Sequence, residues 1–199
     1  MHGRAGWAML RYAPFPLIIM DVGQRLDMCI RKGRSNLRKK LRRQVLKGGL
    51  ESILVRKDLT SEELLQMMCD YLRQNSESCD WVGYYLVSEQ SPDHLVLGPY
   101  SGKPTEHIHI PFGKGVCGRA AQSCDTLVID DVTTESNYLS CSPDVRAEIV
   151  VPVEHEGALV GELDVDSETP GAFGDGDTEL LKWVAEASSE RVADLAASS

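Results

Sequence analysis

Residues 148–167 read E-I-V-V-P-V-E-H-E-G-A-L-V-G-E-L-D-V-D-S, and this stretch decides the fold. Ile149–Glu154 and Ala158–Asp166 are two runs of period two, rich in Val, Ile and Leu. Between them His155-Glu156-Gly157-Ala158 supplies a turn, so the whole reads as a β-hairpin. In its second arm Asp164 and Asp166 are two apart and share one face of the sheet, while Leu163 and Val165 take the other.

Working outward, the same period recurs upstream in Trp81–Ser88, Leu95–Tyr100, His107–Pro111 and Thr126–Asp130. A short helix is predicted over Gly115–Ala121, behind a glycine-rich loop. A closing helix is predicted over Asp177–Ala196, with Leu180, Leu181, Val184, Ala187 and Val192 on one stripe. Ahead of the strands, Thr60 and Glu63 form a capping box. It opens a helix carrying Leu64, Leu65, Met68 and Leu72. Ser35–Val55 predicts another helix, with Leu37, Leu41, Val45 and Leu46 as its apolar positions and Gly48-Gly49 interrupting or ending it. The order α-α-β-β-β-α-β-β-β-α implies an α+β fold, one mostly antiparallel sheet flanked by helices.

The chain has 199 residues, enough for one core. Its charge is unevenly placed. Residues 1–50 hold 12 of the 21 Lys and Arg and only two acids, Asp21 and Asp27, whereas the remainder carries a net charge of −19. An acidic body repels polyanions, which makes it a poor candidate for nucleic-acid binding. The apolar stretch Tyr12–Met20 contains two prolines and is about half of what a membrane span needs. Residues 1–34 read as an N-terminal extension and 35–199 as the folded domain. The six cysteines show no C-x-x-C pair and no zinc spacing, and no signal peptide is evident. A reducing compartment follows, the cytoplasm first, with a mitochondrial address left open by the acid-free first 20 residues.

Several residues could carry chemistry. Cys117, in Gly113-Lys114-Gly115-Val116-Cys117-Gly118, stands at a helix N-terminus, where a thiolate is favoured. It suits a nucleophile, a resolving thiol or a packed cysteine. Cys141 lies in the polar loop Ser136–Asp144, an accessible setting. Asp164 and Asp166 raise each other's pKa if buried together, and are inert if the strand end faces water. Glu148 can reach the same pocket. Trp81 and Tyr85 share a strand face and either wall that pocket or fill a core. His107 and His109 lack a third ligand, so no metal is expected.

W-V-G-Y-Y-L at 81–86, L-V-L-G-P-Y-S-G-K at 95–103, I-P-F-G-K-G-V-C-G at 110–118, E-I-V-V-P-V at 148–153 and G-E-L-D-V-D-S at 161–167 together resemble the free methionine-(R)-sulfoxide reductases, single GAF domains. The resemblance covers about Ser35 to Ala196. It implies a six-stranded antiparallel GAF sheet, a homodimer, and a closed pocket for free methionine (R)-sulfoxide. It also implies that Cys141 attacks the sulfur and that Cys117 is the second site cysteine. Glu148, Asp164 and Asp166 then hold the sulfoxide and the substrate's polar groups, with Trp81 and Tyr85 as the aromatic wall. A thioredoxin-like protein would recycle the enzyme, without metal, flavin or nucleotide.

The family often carries a further, recycling cysteine where this chain has His107. Cys117, an external thiol or, less directly, Cys124 would take over that step. Two competing readings are a non-catalytic GAF module that senses a small ligand, and an interaction protein acting through the basic N-terminal arm.

Overall fold

The computed structural model describes residues 22–87, 90–135, 139 and 143–198, with side chains from Ser35 onward. The chain divides into two units between Arg38 and Lys39. The described part of the first is the leading half of helix α1 (Val22–Leu54), with Leu37 exposed. Helix α1 begins well before Ser35, so part of the expected extension, residues 22–34, is helical. Everything that follows concerns the second unit.

Gly48-Gly49 neither breaks nor ends α1. A side chain at Gly49 would fall on the ring of Tyr71, so the missing Cβ serves packing between helices and not a turn. The buried stripe of α1 is Leu46, Leu50 and Ile53, whereas Leu41 and Val45 are exposed. Arg43 Nη1 donates to Asp177 Oδ1 at 3.1 Å, tying α1 to the first turn of α4 (Asp175–Ala196).

Helix α2 (Ser61–Asn75) starts at the expected capping box. The Glu63 N–H donates to Thr60 Oγ1 at 3.2 Å, and the Thr60 N–H donates to Glu63 Oε2 at 2.9 Å. The strands are β1 (Trp81–Val87), β2 (His94–Ser101), β3 (His109–Pro111), β4 (Leu127–Ile129), β5 (Ala147–His155) and β6 (Ala158–Ser167). Helix α3 (Gly115–Ser123) falls between β3 and β4. The third strand is shorter than expected, and His107 lies outside it.

The six strands form one antiparallel sheet in the order β3-β2-β1-β6-β5-β4. The β5–β6 turn has Glu156 at φ +50° and Gly157 at φ +81°. Two successive left-handed residues make the tight hairpin that matches strand twist. One face of the sheet carries the main core. Val82, Tyr84, Ile149, Leu163 and Val165 pack there against Leu64, Met68 and Leu72 of α2, and against Leu181 and Val184 of α4. Tyr84 buries its hydroxyl on this side and donates to Ser188 Oγ at 3.1 Å. Burial pushes the Cys69 thiol far up and Cys79 up to about 11, so both act as small apolar residues. The opposite face carries Trp81, Tyr85, Leu95, Ile110 and Val150 beneath α3. Among the described residues no helix is long and apolar enough to cross a membrane.

Candidate active site

The pairing of β1, β6 and β5 builds the site's floor. Trp81, Asp166 and Glu148 are cross-strand partners in one row. Gly83, Asp164 and Val150 form the next, and Tyr85, Glu162 and Pro152 the third. Side chains in register on neighbouring strands share a face, so three acids of β6 and one of β5 point toward α3. Glu148, Glu162, Asp164 and Asp166 are all buried, between 0% and 3% exposed. That settles the open question of the hairpin strand end, since Asp164 and Asp166 do not face water.

Cys117, in the first turn of α3, closes the floor from above. Its Sγ lies 3.6 Å from Glu148 Oε1 and 3.5 Å from Asp164 Oδ2. Glu148 Oε2, Asp164 Oδ1 and both oxygens of Glu162 have no hydrogen-bond partner among the described residues. Ionised carboxylates in such surroundings are costly, so they hold protons instead. Burial raises Asp164 to about 7, opposed by the Cys117 thiol and the Val165 amide. Burial, reinforced by the charges of Asp164, Asp166 and Glu162, holds Glu148 well above the usual carboxylate range. Burial and the charge of Asp164 do the same to Glu162.

The aromatic side is a stack of three rings. Trp81 lies 6.3 Å from Tyr85 and 5.6 Å from Tyr100, centroid to centroid. The indole occupies a slot that two glycines leave open, since a Cβ on either Gly83 or Gly102 would run into it. Trp81 Nε1 donates to the Lys103 carbonyl at 3.1 Å, and the Tyr85 hydroxyl donates to the His107 carbonyl at 3.0 Å. Both rings are therefore pinned by the β2–β3 connection.

Cys141 lies outside the described residues, as does most of its loop. The described residues around that loop are anchored to the site. Arg119 of α3 donates to Glu135 at 2.6 Å, Lys103 donates to Asp144 at 2.7 Å, and Leu139 packs on the apolar cluster beneath α3, beside Gly115. Cys124 is exposed at the C-terminal end of α3. It stands two helical turns, about 10 Å, along the axis from Cys117. The structure thus gathers Cys117, Glu148, Asp164, Asp166, Trp81 and Tyr85 on one face of the sheet. It adds Glu162 and Tyr100, which sequence reasoning missed. The signal for Glu162 was present, because it continues the period of Asp164 and Asp166 by one more step.

A six-stranded antiparallel sheet with the main helices on one face, and α3 laid over a cluster of buried acids on the other, defines a GAF domain protein. The GAF domain family model matches residues 58–189, and the chain belongs to that family. Within it, the chain belongs with the free methionine-(R)-sulfoxide reductases, as its motifs implied. The X-ray structure of free methionine-R-sulfoxide reductase from Neisseria meningitidis, in complex with its substrate, superposes with a TM-score of 0.70 at 33% identity, covering 77% of this chain and 91% of that one. The free methionine-R-sulfoxide reductase of Saccharomyces cerevisiae is 35% identical over 107 residues, 53% of this chain and 59% of the relative. That of Escherichia coli is 37% identical over 103 residues, 52% and 60% respectively. The matches to these two curated relatives thus span about 60% of their length.

Proposed function

We propose that this protein reduces free L-methionine (R)-sulfoxide to methionine by thiol chemistry. The observation that carries the reading is the set of buried, proton-holding carboxyl groups beside a thiol and an aromatic wall. A sulfoxide oxygen leaves sulfur only when it is protonated or strongly hydrogen-bonded, and a carboxyl with a pKa near neutrality can supply that proton. In this reading Asp164, at about 7, is the donor, with Glu148 and Asp166 beside it. The substrate ammonium then lies among acids, and the methyl–sulfur end against Trp81 and Tyr85.

The nucleophile in this reading is Cys141, by its place in the family motif. Its thiolate attacks the sulfur of the protonated sulfoxide to form a transient bond between the two sulfurs. That bond and the S–O bond then break as the hydroxyl passes to the Cys141 sulfur, and methionine departs with its sulfur lone pair restored. Cys141 keeps the oxygen as sulfenic acid, oxidised by the two electrons that methionine gained. A second thiol, Cys117 in the first instance, condenses with it to a disulfide and releases water. A dithiol of the thioredoxin class restores both thiols by exchange. All electrons come from thiols, so this chemistry calls for no metal, flavin or nucleotide.

The working form is proposed as a homodimer of the domain 35–199, in the cytoplasm or mitochondrion, removing the product of methionine oxidation. The test is an NADPH-coupled assay with thioredoxin on both epimers of free methionine sulfoxide and on a peptide-bound one. Turnover confined to the free R epimer is expected. Equal reduction of the S epimer or of the peptide overturns the closed-pocket reading. Binding without consumption would make the protein a sensor module.

A further inference from the structure

We propose that the same pocket is a site for a thiophilic divalent cation of the zinc class, held by Cys117, Glu148 and Asp164 with Glu162 as fourth donor, and that this ion excludes the sulfoxide.

Geometry is the first argument. Cys117 Sγ stands 3.6 Å from Glu148 Oε1 and 3.5 Å from Asp164 Oδ2. A thiol has one hydrogen and can serve only one of these oxygens. A tetrahedral zinc ion, with bonds of about 2.3 Å to sulfur and about 2.1 Å to oxygen, sets sulfur and oxygen about 3.6 Å apart. The donor atoms of Cys117, Glu148 and Asp164 all lie within 4.8 Å of one another.

The second argument is Glu162. It is 0% exposed and neither of its oxygens has a hydrogen-bond partner among the described residues. It stands on the pocket face next to Asp164, whose charge raises its pKa, and the Cys117 sulfur is near enough to lower it, although no contact among the described residues meets hydrogen-bond geometry. An unsatisfied buried acid at the edge of a three-donor cluster completes a four-donor set. One sulfur among oxygens favours zinc or cadmium over calcium and magnesium, which take all-oxygen shells.

Binding replaces the Cys117 proton with the ion and displaces the protons that the ligating carboxyl groups hold, so more than one proton is released and the thiolate is no longer available for disulfide formation. Conversely, once Cys117 is oxidised it can no longer bind the metal. The site would therefore report thiol state through metal release. Metal binding stands independently of the reductase reading, and only its competition with sulfoxide rests on it.

The experiment titrates the reduced, full-length protein with Cd2+, following the thiolate-to-cadmium charge-transfer absorption and the 113Cd resonance. One ion per chain is expected, with a shift characteristic of one thiolate among oxygens. Cys117→Ser should abolish the band. Glu162→Gln should keep the band and weaken affinity by at least the roughly tenfold that even an outer partner costs. Binding that survives Cys117→Ser, a shift showing two or more thiolates, or unchanged affinity in Glu162→Gln overturns the proposal. The 113Cd shift of the wild type decides the matter even if a variant fails to fold. A protein that binds Cd2+ but leaves the sulfoxide untouched keeps this site and loses the reductase. An active enzyme blind to Cd2+ and Zn2+ does the reverse.

Discussion

Glu162 of β6 stands directly opposite Tyr85 of β1, and both are completely buried on the pocket face. A carboxyl with no partner among the described residues therefore lies beside a phenol whose own hydroxyl is already committed to the His107 carbonyl. Replacing that acid with an apolar residue of similar size relieves an unsatisfied group. Glu162→Val should stabilise the ligand-free protein by about 1–3 kcal/mol, read from urea unfolding with an unchanged slope. A destabilised variant would mean that Glu162 has a partner in solution that keeps it satisfied.

The thiols should separate by kinetics. Cys141→Ser is expected to abolish methionine formation even in a single turnover. Cys117→Ser should form about one methionine per protein and then stall with thioredoxin as the only reductant. Rapid-quench measurement of product per active site checks both. A full steady-state rate in Cys117→Ser would pass the resolving role to another thiol.

The pH response follows from Asp164, whose pKa rises from 3.8 in an exposed setting to about 7 in the pocket. Across that window the folded protein keeps a proton that the unfolded chain has released. Stability must then fall as pH rises, and the ligand-free protein should melt higher near about pH 5 than near about pH 8. Asp164→Asn should flatten that slope. Turnover should likewise decline above about pH 7, where the proton donor is spent.

Trp81 is held by what its neighbours lack. Gly83→Ala puts a methyl group into the indole slot and should tilt the ring away. The expected result is a KM for sulfoxide raised about tenfold, a loss of about 1.4 kcal/mol of binding, with a shifted tryptophan emission. Unchanged KM would show that the ring does not touch substrate.

Leu50 tests the place of α1. It is fully buried in the main core, one residue beyond Gly49. Leu50→Ala should cost about 2–5 kcal/mol, as for other core leucines, and a chain truncated after α1 should fail to fold. Denaturant titration gives the answer.

Much of this fold was readable because local signals agreed with global ones. Thr60 with Glu63, Glu156 with Gly157, and the period of β5 and β6 each named their element before any contact was known. Gly49 misled because glycine in a helix signals a break, and only the tertiary neighbour Tyr71 explains its presence. Leu41 and Val45 misled because helical spacing does not say which of two adjoining stripes is covered. At the site, Glu148, Asp164 and Asp166 stood out by motif. Glu162 shares the period of Asp164 and Asp166 and so their face, but the motif does not single it out, and its burial shows only once both neighbouring strands are in place.

The sheet separates two kinds of work. One side, packed by helices, holds the molecule together, and the other carries the buried acids, the Cys117 thiol and the stacked rings. Retooling can therefore proceed on the reactive side while the structural side stays as ballast. The position occupied by Glu162 is a place where a lineage could change what its pocket accepts without first having to reinvent how it stands up.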